Sequence, residues 1–231
     1  MKGTLYGVGI GPGDPELLTL KALRLIQENT VIAVPGKEVE NSVAYQIVKG
    51  AYPQLDEKTL VGVEMPMTKD SKKLEEHHEK AADLIESYLR RGESVVFLTL
   101  GDPTVYATYL YVHKKIRDRG YETEFISGIP SFCAAAARLQ MGLVETTQEL
   151  HVIPATYQEK NLEELLKLSG TKVLMKNGKR LEEVREAVMQ SGQKAVMIEN
   201  CGMPEEKVYL SAEEMPKEAG YYTVVIVKET E

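Results

Sequence analysis

Two copies of one tripeptide carry the residues best placed for chemistry. Gly101-Asp102-Pro103 follows the nearly continuous apolar run Val95–Leu100. Gly13-Asp14-Pro15 closes the glycine-rich run Gly7-Val8-Gly9-Ile10-Gly11-Pro12, which follows the apolar segment Thr4–Val8. An apolar run without alternation is the pattern of a strand buried on both faces of a parallel sheet. Ligands of open α/β sheets lie beyond the carboxyl ends of such strands. There a glycine lets a ligand come against the backbone with no side chain in the way. Asp102 adds an anionic hydrogen-bond acceptor, and Pro103 fixes the turn while giving up one donor. The chemistry on offer is close contact with a small ligand. Gly-Asp-Pro is also common turn chemistry, with the aspartate capping a helix. On spacing alone that role is preferred, and the second copy is what weighs against it.

The same residues limit which ligand it is. A dinucleotide fingerprint needs G-x-G-x-x-G and an acidic residue about 20 positions on. Here the run is G-x-G-x-G, the next strand ends at Val34-Pro35-Gly36, and Pro12 removes an amide that a phosphate cradle would use. No G-x-x-x-x-G-K-[ST] run is present. His77 and His78 are adjacent and cannot share a helix face, so with His113 and His151 the only others, no metal site is expected. His78 reads as a packed core residue. Cys133 and Cys201 are too few and too far apart for a disulfide framework or a zinc site.

The elements that position these residues alternate along the chain. Strands are expected at Thr4–Val8, Val31–Val34, Ser94–Leu100 and Glu124–Ile126. Asp14 is suited to cap a helix that has Pro15 at its first position and buries Leu18, Ala22, Leu25 and Ile26. Leu74, His78, Ala81, Ala82, Ile85, Tyr88 and Leu89 share one face of a second helix, which Gly92 stops. Further helices are expected at Tyr106–Arg117 and, capped by Ser131, at Phe132–Leu139. Beyond Thr146 strand density rises, with strands at Leu150–Ile153, Lys172–Met175, Ala195–Ile198, Val208–Leu210 and Tyr221–Val227. Helices are expected at Leu162–Leu168 and Leu181–Gln190, and the close spacing of the last two strands suggests an antiparallel portion. The fold class is therefore α/β, with two α/β domains at 1–145 and 146–231 and a cleft between them, where ligands commonly bind.

Composition fits this organisation. A chain of 231 residues with 43% apolar and 27% charged residues is an ordinary globular protein of one large or two small domains. No apolar run approaches the roughly 20 residues of a membrane span. The chain opens Met1-Lys2-Gly3-Thr4-Leu5 with no signal-peptide core, which points to a reduced, cytoplasmic protein. A formal charge of −7 argues against nucleic acid as a partner, although Lys114-Lys115-Ile116-Arg117 and Lys176-Asn177-Gly178-Lys179-Arg180 are locally basic.

Three ordered motifs carry a family resemblance. Gly7-x-Gly9-x-Gly11-Pro12-Gly13-Asp14-Pro15-Glu16-Leu17-Leu18-Thr19 resembles the opening signature of the tetrapyrrole (corrin/porphyrin) methyltransferases. Gly101-Asp102-Pro103-Thr104-Val105-Tyr106-Ala107-Thr108 is similar to their second motif. Gly128-Ile129-Pro130-Ser131-Phe132-Cys133-Ala134-Ala135-Ala136-Ala137 resembles the third, in the form carried by precorrin-2 C(20)-methyltransferases. Ala107 departs from the subgroup, which usually has serine there.

The resemblance implies an S-adenosylmethionine-dependent methyltransferase of cobalamin biosynthesis, with the cofactor in the interdomain cleft and two copies forming a homodimer. Its substrate would be a tetrapyrrole, precorrin-2 or cobalt-precorrin-2, methylated at the C(20) meso carbon. Carried over by position, the cofactor contacts are Pro12, Leu100, Gly101, Asp102, Val105, Tyr106, Ser131, Phe132, Met175, Cys201 and Gly202. Asp102 and Tyr106 are candidates for a base, by position only, and a substrate nitrogen is the alternative. A sulfonium methyl is already electrophilic and a reduced meso carbon enamine-like, so the enzyme mainly has to align the two. Because the substrate is a polycarboxylate and the chain is net negative, Lys176, Lys179 and Arg180 are candidates for offsetting the repulsion, with a solvated turn as the equal alternative. Two other functions stay open: another corrin-ring or uroporphyrinogen methyltransferase, and a nucleotide-binding regulatory module with a degenerate phosphate loop.

Overall fold

The computed structural model describes residues 2–66, 68, 70–154 and 162–229, and they divide into two compact units, one ending at Pro130 and the other beginning at Ser131. The first unit is built on β1 (Leu5–Gly9), β2 (Val31–Pro35), β3 (Thr59–Val63), β4 (Val95–Thr99) and β5 (Thr123–Ile126). All pairings are parallel, in the order β3-β2-β4-β1-β5. Helices α1 (Leu20–Glu28) and α2 (Val43–Ala51) bury Ala22, Leu25, Ile26, Ile47 and Val48 against one face of the sheet, on Val8, Ile32, Val96 and Leu98. Helices α3 (Ser71–Leu89) and α4 (Tyr109–Asp118) cover the other face, on Leu5, Val31, Val95 and Phe97. Covering on both faces is why β4 is apolar from Val95 to Leu98 and buried at all of its positions, Thr99 included.

This order places the ligand edge. The chain leaves β1 toward α1 on one face and leaves the adjacent β4 toward α4 on the other, so the two loops diverge between neighbouring strands. Such a divergence is a topological switch point, where open α/β sheets bind ligands. It falls at the two glycine loops. Packing at β1 also explains Gly7: a Cβ there would lie 2.0 Å from the ring of Tyr109, which donates its hydroxyl to Glu124 O at 3.0 Å.

The second unit carries β6 (Leu150–Pro154), β7 (Thr171–Met175), β8 (Lys194–Glu199), β9 (Lys207–Tyr209) and β10 (Thr223–Lys228), in the order β6-β7-β10-β8-β9. Only β6 and β7 are parallel; β10 runs antiparallel to both β7 and β8. Helices α6 (Leu162–Leu166) and α7 (Leu181–Ser191) pack on Leu174, Met197, Val225 and Val227. Helix α5 (Ser131–Arg138) packs against β10 and buries Ala134, Ala135 and Ala136.

Several expectations shift. The compact units divide at Pro130, whereas the expected domains are 1–145 and 146–231, and α5 lies beside β10 of the second sheet. Asp14 and Pro15 do not start α1. Asp14 caps a separate 3-10 turn, Pro15–Leu17, by accepting from Glu16 N, and Thr19 caps α1. Helix α4 starts at Tyr109 instead of Tyr106, because Tyr106 has a left-handed backbone (φ 49°) that no helix continues. The last two strands are antiparallel in orientation to β8 but do not pair with each other, since β9 lies beyond β8. Strand β3 and helix α2 have no counterpart among the expected elements.

Candidate functional site

At the switch point the two glycine loops are tied to each other by their backbones. Gly11 N donates to Gly101 O at 3.3 Å, Gly101 N donates to Gly11 O at 2.9 Å, and Ile10 N donates to Thr99 O at 3.0 Å. Both glycines are in the left-handed region, at φ 75° and 68°, where a side chain would be strained. Gly128, at the end of β5, closes over the same point. A Cβ on Gly128 would lie 2.3 Å from Gly101 O, and one on Gly9 would lie 2.6 Å from Gly128 N. Three strand ends therefore meet backbone to backbone, a packing open only to glycine.

Asp102 locks this arrangement. It is 6% exposed, and both carboxylate oxygens are engaged. Oδ1 accepts from Thr104 N (2.8 Å) and Thr104 Oγ1 (2.5 Å); Oδ2 accepts from Ser127 Oγ (2.5 Å) and Gly128 N (3.0 Å). Burial pushes the carboxyl pKa up, but the hydrogen bonds from Ser127, Thr104 and Gly128 outweigh it and hold the group below the usual carboxylate range. Asp102 is thus arranged to keep a negative charge, not to accept a proton at neutral pH. Val105 N donates to Asp102 O at 3.2 Å, and the chain then turns through Tyr106, which is exposed on its strained backbone. A bulky residue held at positive φ costs of order 1–3 kcal/mol and is typical of functional loops.

Of the sequence-predicted residues in the first unit, Pro12, Leu100, Gly101, Asp102, Val105 and Tyr106 all lie in the two loops at this edge. Sequence reasoning missed Thr104 and Ser127, which only the hydrogen bonds single out, and Thr99, whose buried Oγ1 has no protein partner among the described residues. The loop offers little to phosphate: Pro12 has no amide, and those of Ile10 and Gly11 are taken by Thr99 and Gly101. That argues against the nucleotide-binding alternative.

In the second unit Ser131 and Phe132 are half-buried at the start of α5. Met175 ends β7, and Cys201 and Gly202 follow β8, both at strand carboxyl ends. Cys201 is buried, and Gly202 N donates to Glu206 at 2.9 Å. Lys176, also at positive φ (58°), has its ammonium 5.4 Å from the ring of Tyr221. Tyr221 and Tyr222 are exposed and pack edge-to-face at 5.4 Å, an aromatic pair that sequence reasoning missed although it directly precedes the apolar run of β10. Asn177 is buried, with Nδ2 donating to Leu174 O and Oδ1 without a protein partner among the described residues. Arg180 is paired with Glu183 at 2.6 Å, which offsets its charge locally. Lys179 lies on the turn Gly178–Arg180, but its side chain is outside the described residues. Among the described residues no group of three or more His, Cys, Asp or Glu side chains forms a metal site. His78 is buried and stacked on Tyr111 at 4.4 Å, a packing role.

A family model of the tetrapyrrole (corrin/porphyrin) methylases matches residues 4–216. The chain belongs to this family. It is 39% identical to a Methanocaldococcus jannaschii protein named "Probable cobalt-precorrin-2 C(20)-methyltransferase", over 74% of this chain and 71% of that protein. It is 31% identical to a Sinorhizobium precorrin-2 C(20)-methyltransferase, over 97% of this chain and 95% of that one. To the cobalt-precorrin-2 C(20)-methyltransferase of Salmonella typhimurium it is 29% identical, over 98% and 97%. The fold is also that of a uroporphyrin-III C-methyl transferase from Thermus thermophilus complexed with S-adenyl homocysteine (TM-score 0.71, 24% identity, 98% of each chain). No helix among the described residues is long and apolar enough to cross a membrane.

Proposed function

We propose that this methylase transfers the methyl group of S-adenosylmethionine to the C(20) meso carbon of precorrin-2 or cobalt-precorrin-2, a step of cobalamin biosynthesis. The observation that carries the reading is similarity along nearly the whole chain to the Sinorhizobium and Salmonella proteins of that name. The site's chemistry fits the cofactor. A glycine-only backbone knot fixes the main chain at the strand ends, and an aspartate held ionised suits a neighbouring cation. The amides of Ile10, Gly11 and Gly101 are already engaged, while Pro12 has none to offer a pyrophosphate.

S-adenosylmethionine supplies a methyl group made electrophilic by its sulfonium. The protein's work is to hold it. Pro12, Leu100, Gly101, Val105 and Tyr106 offer the main-chain edge of the first unit. Ser131, Phe132, Met175, Cys201 and Gly202 of the second unit are the other contacts that the family resemblance implies. Asp102 offsets the positive charge and, with both oxygens engaged, leaves the proton of the methylated carbon to a substrate nitrogen, with the exposed Tyr106 able to take it only as the phenolate. In-line alignment of donor and acceptor is the main source of rate, worth roughly 7–11 kcal/mol in the best intramolecular cases. Lys176, whose ammonium lies over Tyr221, is the candidate for offsetting the substrate's carboxylate charge, with Lys179 beside it in sequence and Arg180 partly offset by Glu183. The working form is a cytoplasmic homodimer.

Incubation with S-adenosylmethionine and each form of precorrin-2, with the product identified by mass and NMR, tests the reading. A single new methyl at C(20) is expected. Methylation at another carbon, or turnover of uroporphyrinogen alone, replaces the substrate assignment. Calorimetric binding of NAD or ATP in preference to S-adenosylhomocysteine overturns the enzyme reading.

A further inference from the structure

We infer that Ser127 is a positioning residue for the cofactor site, acting through Asp102; this rests on the cofactor reading above. Ser127 follows β5 and Asp102 follows β4, and β1 lies between those strands. The hydrogen bond from Ser127 Oγ to Asp102 Oδ2 at 2.5 Å therefore spans the end of β1, where Gly9 and Gly11 sit.

The four hydrogen bonds to Asp102 divide by reach. The two from Thr104 are local, two residues away, and shape the turn after Gly101. The two from Ser127 and Gly128 cross from the β5 loop to the β4 loop. Of these, the Gly128 bond is donated by main-chain N–H to the Asp102 carboxylate and survives any substitution in the β5 loop that keeps the backbone in place. Among the described residues the Ser127 hydroxyl is the one side-chain donor that crosses from the β5 loop to Asp102. What it fixes is the backbone of Leu100–Asp102 relative to Gly11, the surface assigned to the ligand. The knot leaves no slack, since Gly128 N and Gly101 O already occupy the space around Gly9. A small shift of the β5 loop is thus transmitted to Gly101 without loss.

Ser127 is itself exposed, so removing its hydroxyl opens no core cavity. An effect on ligand affinity with little effect on folding separates this role from that of an ordinary stabilising contact. Asp102 would keep one crossing donor, and the loops would keep their hydrogen-bonded glycines but lose the register that the carboxylate imposes.

The test is calorimetric titration of S-adenosylhomocysteine into the full-length wild type, Ser127→Ala and Ser127→Thr, each with its thermal melt. Wild type binds; Ser127→Ala binds about tenfold more weakly, about 1.4 kcal/mol, with a nearly unchanged melting temperature. Ser127→Thr, which keeps a hydroxyl, restores most of the affinity. Wild-type affinity in Ser127→Ala overturns the inference while leaving the cofactor reading intact. Weakening that tracks a fallen melting temperature, or that Ser127→Thr does not relieve, also overturns it, as a role in folding only. A wild type that does not bind the ligand overturns the cofactor reading, and the inference with it.

Discussion

Asp102 shows how a buried carboxylate is kept ionised. Its four donors lower a pKa that burial alone would raise, so the folded value lies below the ordinary 3.8. A group with a depressed folded pKa contributes stability that is complete above the unfolded value and is lost as pH falls through the folded one. Asp102→Asn is therefore expected to cost about 1–3 kcal/mol at pH 7, and the gap to wild type should close as pH drops below 3.8. Urea denaturation of both proteins across that range checks it; a gap independent of pH would show that shape, not charge, is what matters. Lys172 is the opposite case. It is fully buried on β7, with Nζ donating to Leu168 O at 2.9 Å, and burial lowers its pKa. The unfolded chain then holds the proton more tightly, so the penalty exists below the folded pKa and fades as pH rises toward 10.5. Lys172→Met should be neutral or stabilising at pH 7, by up to roughly 2 kcal/mol. Its advantage over wild type should shrink in melts taken at increasing pH.

Between elements, the apolar contact of α3 with α4 is flanked by an ion-pair network around Arg119 and Lys115. Arg119 reaches Asp83 at 2.9 Å and Glu86 at 2.8 Å and also pairs with Glu79, while Lys115 holds Glu75 and Glu79 at 2.5 and 2.6 Å. The Arg119 and Glu86 side chains are only 20% and 13% exposed, so losing one partner leaves the other poorly hydrated. Arg119→Ala should destabilise by roughly 1–3 kcal/mol. Arg24→Ala, which breaks an exposed pair with Glu28 within α1, should cost about 0.5 kcal/mol or less. Chemical denaturation of both variants provides the comparison. Equal effects would mean that the α3–α4 network is as solvent-screened as the surface pair.

At the scale of the molecule, the division at Pro130 assigns α5 to the second sheet. That helix lies beside β10 with Ala134, Ala135 and Ala136 buried, and a fragment beginning at residue 146 would lack it. A fragment of residues 131–231 is expected to be soluble and to melt cooperatively, whereas one of 146–231 should melt at least several degrees lower or aggregate. Circular dichroism melts of the two decide the boundary, and indistinguishable melts would return it to Glu145. The chain's net charge of −7 is spread over both units and says nothing of the boundary, which is a matter of apolar contact.

The amino-acid sequence determined which segments are strands and which of their ends carry ligand chemistry. Unbroken apolar runs closing on glycine identify β1 and β4, because burial on both faces leaves no polar alternation. Two elements were illegible for local reasons. Strand β3 is only partly buried and is interrupted by Gly62. Helix α2 buries Ala44, Tyr45, Ile47 and Val48 at helical spacing, but it is short and mixes β-branched residues with Gly50, which weakens its helix propensity. The order of the strands was decided by tertiary structure alone. Gly11 and Gly101 are ninety positions apart in the chain and hydrogen-bonded in the fold, and nothing in either loop names the other. Ser127 reads as a turn residue until β5 is laid beside β1, which brings its hydroxyl to Asp102. Local pattern reports what each segment buries; which segments then meet depends on how both faces of the sheet are covered at once, and that is a property of the whole chain.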